Sequence, residues 1–305
     1  MSYEPLTPET LLRERAASLG FIGVGFTNPN CPPYFRSFQS WLSQGRYGDM
    51  EWIARNVELR RDPKLLLPGC NTVISLAYPY SPEIPTSPDG LRAARYTEGL
   101  QEDYHLRLRT LGKALVELIR QLYPGAKSRI CIDSAPVLER SIAYRAGVGF
   151  FGKNTMLIIP GYGSYFYLME LFTSAAISFE KPKPMESKCG QCTKCIGACP
   201  TGALKAPFIH DARHCLSYLT IEHKGQLSRE VGQIMNRCFF GCDVCQEVCP
   251  FNQKDTGARI TLPSAKEILE MHEDEFQYIF GNTAFARAGL KKIQANVQTA
   301  LLQEH

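Results

Sequence analysis

The sequence predicts an α+β protein: a mixed α/β domain with a sheet of at least five strands, then a small cysteine-rich module, then short C-terminal helices. Three observations carry that expectation. Strand-like apolar runs alternate with helix-period segments over residues 1–180, and eight of the twelve cysteines fall in two runs that each end in Cys-Pro. Helical periodicity returns after residue 259. At 305 residues and 44% hydrophobic content the chain can bury one large core and a smaller one. The expected divisions are 1–180, 181–258 and 259–305.

Thr7–Leu19 reads as a helix, with Thr7 as N-cap ahead of Pro8 and Leu11, Leu12 and Ala16 on its apolar face. Phe21–Phe26 reads as a strand. Pro32, Pro33, Gly45 and Gly48 mark a mobile connection before a short helical piece at Met50–Asn56. Thr72–Ala77 is a buried-looking strand, and the prolines and Gly90 make 81–91 a surface loop. Asp103–Leu122 is the clearest helix: Leu106, Leu108, Leu111, Leu115, Leu118 and Ile119 are its apolar residues, and Pro124-Gly125 lies just past its end. Ile130–Asp133 reads as a strand ending in a carboxylate, and Pro136–Ala146 as a helix stopped by Gly147. Thr155–Ile159 and Tyr165–Phe172 read as strands joined by the turn Pro160–Gly163. Beyond the Lys181–Pro184 link and the cysteine module, Pro263–Glu273 and Thr283–Leu302 read as helices.

The net charge of +4 does not by itself announce a nucleic-acid binder. Arg92, Arg95, His105, Arg107, Arg109 and Lys113 lie close in sequence, but such a run is ordinarily a solvated face; phosphate contacts need the charges on one surface. The N-terminus has neither a basic start nor an apolar run, and no stretch approaches the roughly 20 apolar residues of a membrane span. A cytoplasmic protein without membrane attachment or twin-arginine leader is expected.

Cys189, Cys192, Cys195 and Cys199-Pro200 have the C-x2-C-x2-C-x3-C-P spacing of bacterial ferredoxins, in which the fourth thiolate ligates the other cluster. The return run is Cys238, Cys242, Cys245 and Cys249-Pro250. By reciprocity Cys249 completes the set of Cys189, Cys192 and Cys195. Cys199, Cys242 and Cys245 then need a fourth thiolate, and Cys215 and Cys238 are both near. Spacing alone does not choose between them. Paired zinc sites are the alternative, but zinc has no use for a third cysteine in step followed by Cys-Pro. Two clusters in series make a one-electron conduit, which implies a redox centre in the first domain.

A dinucleotide site is not supported. Gly147, Gly149 and Gly152 imitate its fingerprint but follow a helix, so a turn with close backbone approach is expected instead. Gly152-Lys153 is followed by Asn154, which excludes a P-loop.

The series Asp133-Ser-Ala-Pro-Val-Leu-Glu-Arg140, Arg145-Ala-Gly-Val-Gly149, Gly152-Lys-Asn-Thr155, Gly163-Ser-Tyr, Asp211-Ala-Arg-His-Cys-Leu-Ser-Tyr-Leu-Thr220 and Gly241-Cys-Asp-Val-Cys-Gln-Glu-Val-Cys-Pro250 resembles the epoxyqueuosine reductase family. The resemblance runs from about Gly20 to the last helix. It implies a nitroreductase-like domain that holds base-off cobalamin against a ferredoxin-like module with two [4Fe-4S] clusters. The implied reaction is reduction of epoxyqueuosine to queuosine at the tRNA wobble position. The resemblance assigns Cys215 to the second cluster, giving Cys189, Cys192, Cys195, Cys249 and Cys199, Cys215, Cys242, Cys245. Cys238 is then spare, and Cys31, Cys70 and Cys131 are expected as small core residues.

Asp133 matches the family's proton donor, and a carboxyl donor at neutral pH needs a pKa raised by burial. Its plainer role would be an N-cap for the segment beginning at Pro136. The resemblance further implies Arg60, Leu157, Leu168, Leu216, Ser217, Cys242 and Asp243 against the corrin. It implies Lys224, Lys153 and Arg237 as contacts to the anticodon loop, where unstacked bases are held in a pocket. An external low-potential electron donor such as a flavodoxin or ferredoxin is expected, with the protein itself a monomer. The chain resembles a short form lacking most of the family's HEAT-like repeats. A cobalamin-dependent reductive dehalogenase and a ferredoxin-like electron carrier are the competing readings.

Overall fold

The computed structural model describes residues 6–252 and 259–302. The end expected for the cysteine module, at residue 258, lies outside them. The central sheet is antiparallel, with strands in the order Gly23–Thr27, Thr72–Pro79, Phe166–Thr173 and Ser128–Cys131. Its two inner strands are buried over most of their length, because helices cover both faces. One face packs against Pro8–Ser18 and Tyr104–Leu122, where Leu12, Ile74, Leu76, Leu108, Leu115, Ile119, Met169 and Leu171 form the core of the first domain. The helix Glu139–Arg145 covers the other face through Ile142 and Ala143. Thr7 and Asp103 cap their helices, accepting backbone N–H bonds from Thr10 and His105.

The central sheet has four strands where at least five were expected. The segment expected as a fifth strand contributes Leu157–Ile158, which pairs with Phe150–Phe151 in a separate hairpin. Gly149 permits that closure: a Cβ there would stand 2.4 Å from the Ile158 carbonyl oxygen. Close backbone approach is therefore what Gly149 provides, while Gly147 takes a positive φ of 74° and Gly152 makes room for the Asn154 and Ile158 side chains. A helix at Phe35–Ser43 replaces the expected mobile connection. It starts from Tyr34 in a left-handed conformation, φ 61°, with no side-chain cap, so the usual N-terminal signal is missing from the sequence.

A second sheet joins distant parts of the chain: Cys238–Phe240, Arg92–Ala93, Ile84–Thr86 and Arg259–Thr261, in that order. The loop expected over 81–91 thus supplies Ile84–Thr86, which pairs with Arg259–Thr261, and the cysteine module's Cys238–Phe240 pairs with Arg92–Ala93 just beyond it. Against this sheet packs an aromatic core of Phe239, Phe240, Phe276, Phe280 and Phe285, with Ile293 and Val297. The C-terminal segment is broken into Ala265–Glu270, Glu273–Phe280, a short turn at Ala284–Arg287 and Leu290–Leu301. The single helix expected over 283–302 is interrupted at Gly289, φ 76°.

Polar side chains lock the module onto the first domain. Asn252 Oδ1 accepts the Ser164 N–H at 2.5 Å, Gln246 Nε2 donates to the Ser164 carbonyl at 3.0 Å, and Asn154 Nδ2 donates to the Cys245 carbonyl at 3.2 Å. Of the basic run, Arg95 is buried in an ion pair with Asp243 and Glu247, Arg92 pairs with Glu247, and Arg107 pairs with Glu98. These charges brace the fold. No described helix is long and apolar enough to cross a membrane.

Candidate active site

Asp133 follows the edge strand Ser128–Cys131, at the point where the chain leaves the sheet for Glu139–Arg145. It has φ 46°, a left-handed conformation rarely taken by a residue with a side chain. The Ser134 N–H closes a three-residue turn on the Ile132 carbonyl at 2.5 Å, and the Asp133 N–H donates to Glu139 Oε1 at 2.6 Å. Asp133 is not an N-cap: Leu138 occupies that position, without a side-chain bond.

The Asp133 carboxylate projects into a cluster of cations. Its Oδ2 lies 3.6 Å from His105 Nε2 and 3.5 Å from Arg287 Nη1. Arg287 also pairs with Glu222 at 2.7 Å and stands over the Trp52 ring. His105 is held from behind by Asp103, 2.7 Å from its Nδ1, and stacks on Tyr104, which stacks in turn on Tyr167. Burial opposes a charge on His105, but the hydrogen bonds to Asp103 and Asp133 outweigh it and raise its pKa to about 9.

The expectation of a raised pKa for Asp133 is reversed. Burial does push it up, but the hydrogen bond and charge of His105, then the charge of Arg287 and a hydrogen bond from Tyr104, hold it below the ordinary carboxylate value. Asp133 is an ionised partner of a protonated histidine at neutral pH.

A cavity of about 640 Å³ opens beside Asp133. Tyr34, Phe38, Trp41, Trp52, Tyr144 and Phe151 supply aromatic wall, and Arg60, Glu139 and Arg140 the polar groups. Arg60 is buried, donates one bond to the Val137 carbonyl at 3.2 Å and leaves its Nε without a partner. Apolar walls with a few convergent polar groups suit a large organic ligand. They also fit a broad ring fringed with amides, for which the unpartnered Arg60 Nε is a donor in waiting.

Of the residues expected at the corrin, Arg60 and Asp133 line this cavity. Leu157 is strand core beside Ala77 and Val148, with Leu168 packed against the same cluster. Leu216 is buried with Phe239 and Phe240, and Ser217 is half-buried one residue on. Asp243 is the buried partner of Arg95, 3.3 Å away.

The expected cluster thiols fall into two groups. Cys189, Cys192, Cys195 and Cys249 line one small cavity. Cys215 and Cys242 lie within electrostatic reach of Cys199 and of each other, and Cys245 of Cys242 and Cys215. Cys238 is also within reach of Cys242, and its Sγ lies 3.4 Å from the Gly241 carbonyl oxygen. All the cysteines are free thiols. Cys70 and Cys131 are buried as expected, but Cys31 is exposed, while the next residue, Pro32, is the one turned inward.

The three basic residues expected at tRNA lie beside different elements. Lys153 Nζ donates to the Gly190 carbonyl at 2.6 Å, at the edge of the first thiol cavity. Arg237 donates to the Asp89 carbonyl at 2.8 Å. Lys224 is exposed, and its backbone N–H is fixed by Asp49. Sequence reasoning missed Glu139 and Arg287, and it read His105 only as one charge in a run. The signals for Glu139 and His105 were in view: Glu139 stands inside the Asp133–Arg140 motif, and His105 opens the most regular helix.

This geometry agrees with what the chain is similar to. Residues 188–252 match the 4Fe-4S double cluster binding domain, and residues 60–134 match the epoxyqueuosine reductase QueG family. Epoxyqueuosine reductase of Escherichia coli K12 is 35% identical over 316 aligned residues, covering 98% of this chain and 82% of that protein. A crystal structure of epoxyqueuosine reductase with an epoxyqueuosine-modified tRNA-Tyr stem loop superimposes with a TM-score of 0.83 at 32% identity, covering 97% of this chain and 81% of that one. The Bacillus subtilis enzyme, described with a catalytic aspartate loop swung out of its active site, superimposes with a TM-score of 0.84 at 32% identity over the same shares. With double-cluster spacing, an aspartate loop over an aromatic cavity, and identity of this extent along nearly the whole length, the chain belongs to the epoxyqueuosine reductase family of oxidoreductases.

Proposed function

We propose that this protein reduces epoxyqueuosine to queuosine in tRNA, with Asp133 as the group that hands a proton to the opened epoxide. The observation that carries the reading is the Asp133–His105 pair on the wall of the aromatic cavity. Deoxygenating an epoxide to an alkene consumes two electrons and two protons and releases water, so the site must hold protons near the departing oxygen. His105 carries one at neutral pH, and Asp133 stands between it and the cavity. A proton passed from His105 through Asp133 neutralises the oxygen as the first C–O bond breaks, and a second proton, taken up from solvent by the same pair, releases it as water. This order of events explains how a carboxylate with a depressed pKa can serve a donor's purpose.

Cobalamin bound in this cavity would supply the low-potential metal centre that passes electrons to the substrate. Arg60 would meet its polar fringe through the unpartnered Nε, and the aromatic wall would exclude water from the reacting face. Cys189, Cys192, Cys195, Cys249 and Cys199, Cys215, Cys242, Cys245 would hold two [4Fe-4S] clusters, which would supply a one-electron relay to that centre. An external low-potential one-electron donor of the flavodoxin or ferredoxin kind would feed it. Lys224 is the best placed of the three expected tRNA contacts, because its side chain is exposed and its backbone fixed. The protein acts as a cytoplasmic monomer.

Corrin retention tests the reading. Anaerobically reconstituted protein is incubated with cobalamin, passed through a desalting column and its spectrum recorded. Stoichiometric corrin with a base-off spectrum is expected, weakened at least tenfold in Arg60→Leu. Full clusters with no retained corrin would leave an electron carrier in place of the enzyme.

A further inference from the structure

The cysteine module meets solvent unevenly. Cys189, Cys192 and Cys195 are half-buried and alternate with the exposed Lys188, Gly190, Gln191, Thr193 and Lys194. Cys242 and Cys245 are set instead among the buried Phe240, Gly241, Asp243 and Gln246. An electron from outside therefore reaches the Cys189–Cys195 loop first. The first domain holds that opening in place: Lys153 Nζ donates to the Gly190 carbonyl at 2.6 Å, and Ser187 Oγ donates to the Phe151 carbonyl at 2.9 Å.

The charge around the opening is one-sided. Residues 181–205 hold five lysines, all exposed, against one carboxylate, Glu186. Lys153 adds another ammonium group and lines the thiol cavity together with Lys194. Among the described residues none of these lysines has an ion-pair partner. The arginines about the second thiol set differ, since Arg95 is neutralised by Asp243 and Glu247 and Arg213 by Asp211. Lys153 and Lys194 are placed to offset thiolate charge in the cavity, but the lysines outside it have no such task. A surface of one sign raises the local concentration of a partner of the other.

We propose that this lysine-ringed opening is the docking surface for an acidic one-electron carrier protein, which delivers its electron at the Cys189–Cys195 loop. The carrier loses one electron and the module gains it; no bond forms or breaks. RNA is the other polyanion that such a surface could meet, and the composition speaks against it. Unstacked bases are held by aromatic rings and arginine planes, and residues 181–205 contain neither. Lysine is a compact point charge that steers an acidic surface without clamping it, as a partner that must leave after each electron requires. The inference rests on the cluster assignment of the proposed function and not on its substrate.

Cross-linking and transfer kinetics test it together, on cluster-loaded protein without cobalamin or tRNA. The probe is flavodoxin hydroquinone, an acidic carrier. Carbodiimide coupling of carrier carboxylates to lysines, mapped by mass spectrometry, should fall on Lys188, Lys194 and their neighbours within 181–205. In stopped flow, appearance of the flavodoxin semiquinone should slow at least ~tenfold when Lys188→Glu is combined with Lys194→Glu, and wild type should lose a similar factor between ~20 and ~300 mM salt. Lys188→Arg with Lys194→Arg keeps the charge and should keep the wild-type rate. Iron analysis establishes that each variant is loaded; if glutamate at 194 costs iron, the Lys188→Gln, Lys194→Gln pair carries the same test with half the charge change. Reduction by methyl viologen radical, a small cation, should not slow in any loaded variant. Cross-links elsewhere, no complex with the acidic carrier, or transfer indifferent to both salt and charge reversal overturns the docking surface. Wild-type transfer by charge-reversed protein that has lost affinity for an anticodon stem-loop RNA would give the lysines to RNA instead. With neither corrin nor tRNA present, a failure of the substrate reading leaves these readouts unchanged.

Discussion

Replacing Phe285 with alanine should loosen the C-terminal segment and, through it, the charge balance at Asp133. Phe285 is fully buried, with ring centroids 4.8 Å from Phe240, 5.2 Å from Phe280 and 5.9 Å from Phe239. Removing a fully buried phenylalanine side chain forfeits about 1.5–3 kcal/mol of transfer free energy. The cavity left among rings that cannot all collapse brings the loss to about 3–5 kcal/mol. In a protein of this size that corresponds to a fall in melting temperature on the order of 10 °C. The assay is thermal unfolding of the cluster-loaded protein under anaerobic conditions, by far-ultraviolet circular dichroism. Arg287 lies two residues on and faces Asp133 at 3.5 Å, so Phe285→Ala should also lower reductase turnover more than the stability loss alone explains. A variant melting within about 1 °C of wild type would refute the packing argument. One that melts early yet retains full turnover would break the link to Asp133.

The histidine at the site gives a signed pH prediction. Its folded pKa, about 9, exceeds the ordinary 6.5, so its contribution to stability is full below about 6.5 and is lost as pH rises through about 9. His105→Gln should therefore flatten the decline of stability measured by urea unfolding between pH 7 and 9.5, and an unchanged slope would remove the charged histidine from the account. Among the cysteines, Cys215→Ser should lose one cluster's iron and Cys238→Ser should keep both, as read by iron analysis and electron paramagnetic resonance; the reverse pattern would give Cys238 the ligand role. Gly25→Ala would put a Cβ 2.2 Å from the Ala146 carbonyl oxygen, where the Glu139–Arg145 helix ends over the sheet. It should cost at least about 1–3 kcal/mol of stability, and a neutral effect on the melting temperature would mean that this helix does not sit so close.

What was legible in the sequence was local. The cysteine spacing announced the cluster module because its ligands lie within a few residues of one another. The helix Tyr104–Leu122 announced itself through its period and the Asp103 cap. Strand partners were less legible, since Leu157–Ile158 has the composition of a sheet strand and only the glycine-permitted approach to Phe150–Phe151 takes it elsewhere. The second sheet could not be foreseen, because its strands come from segments more than a hundred residues apart and one is only two residues long. Asp133 shows the same division. Its motif marked it, but the sign of its pKa shift depends on His105 and on Arg287, 154 residues away.

The most direct test is to supply the cluster-loaded protein with cobalamin, a low-potential reductant and epoxyqueuosine-bearing tRNA under anaerobic conditions, then digest the tRNA and identify its nucleosides by mass spectrometry. The account predicts queuosine from the wild-type protein and at least a hundredfold less from Asp133→Asn with clusters and corrin retained. Full cofactor loading with no queuosine from wild type, or undiminished queuosine from Asp133→Asn, would contradict it.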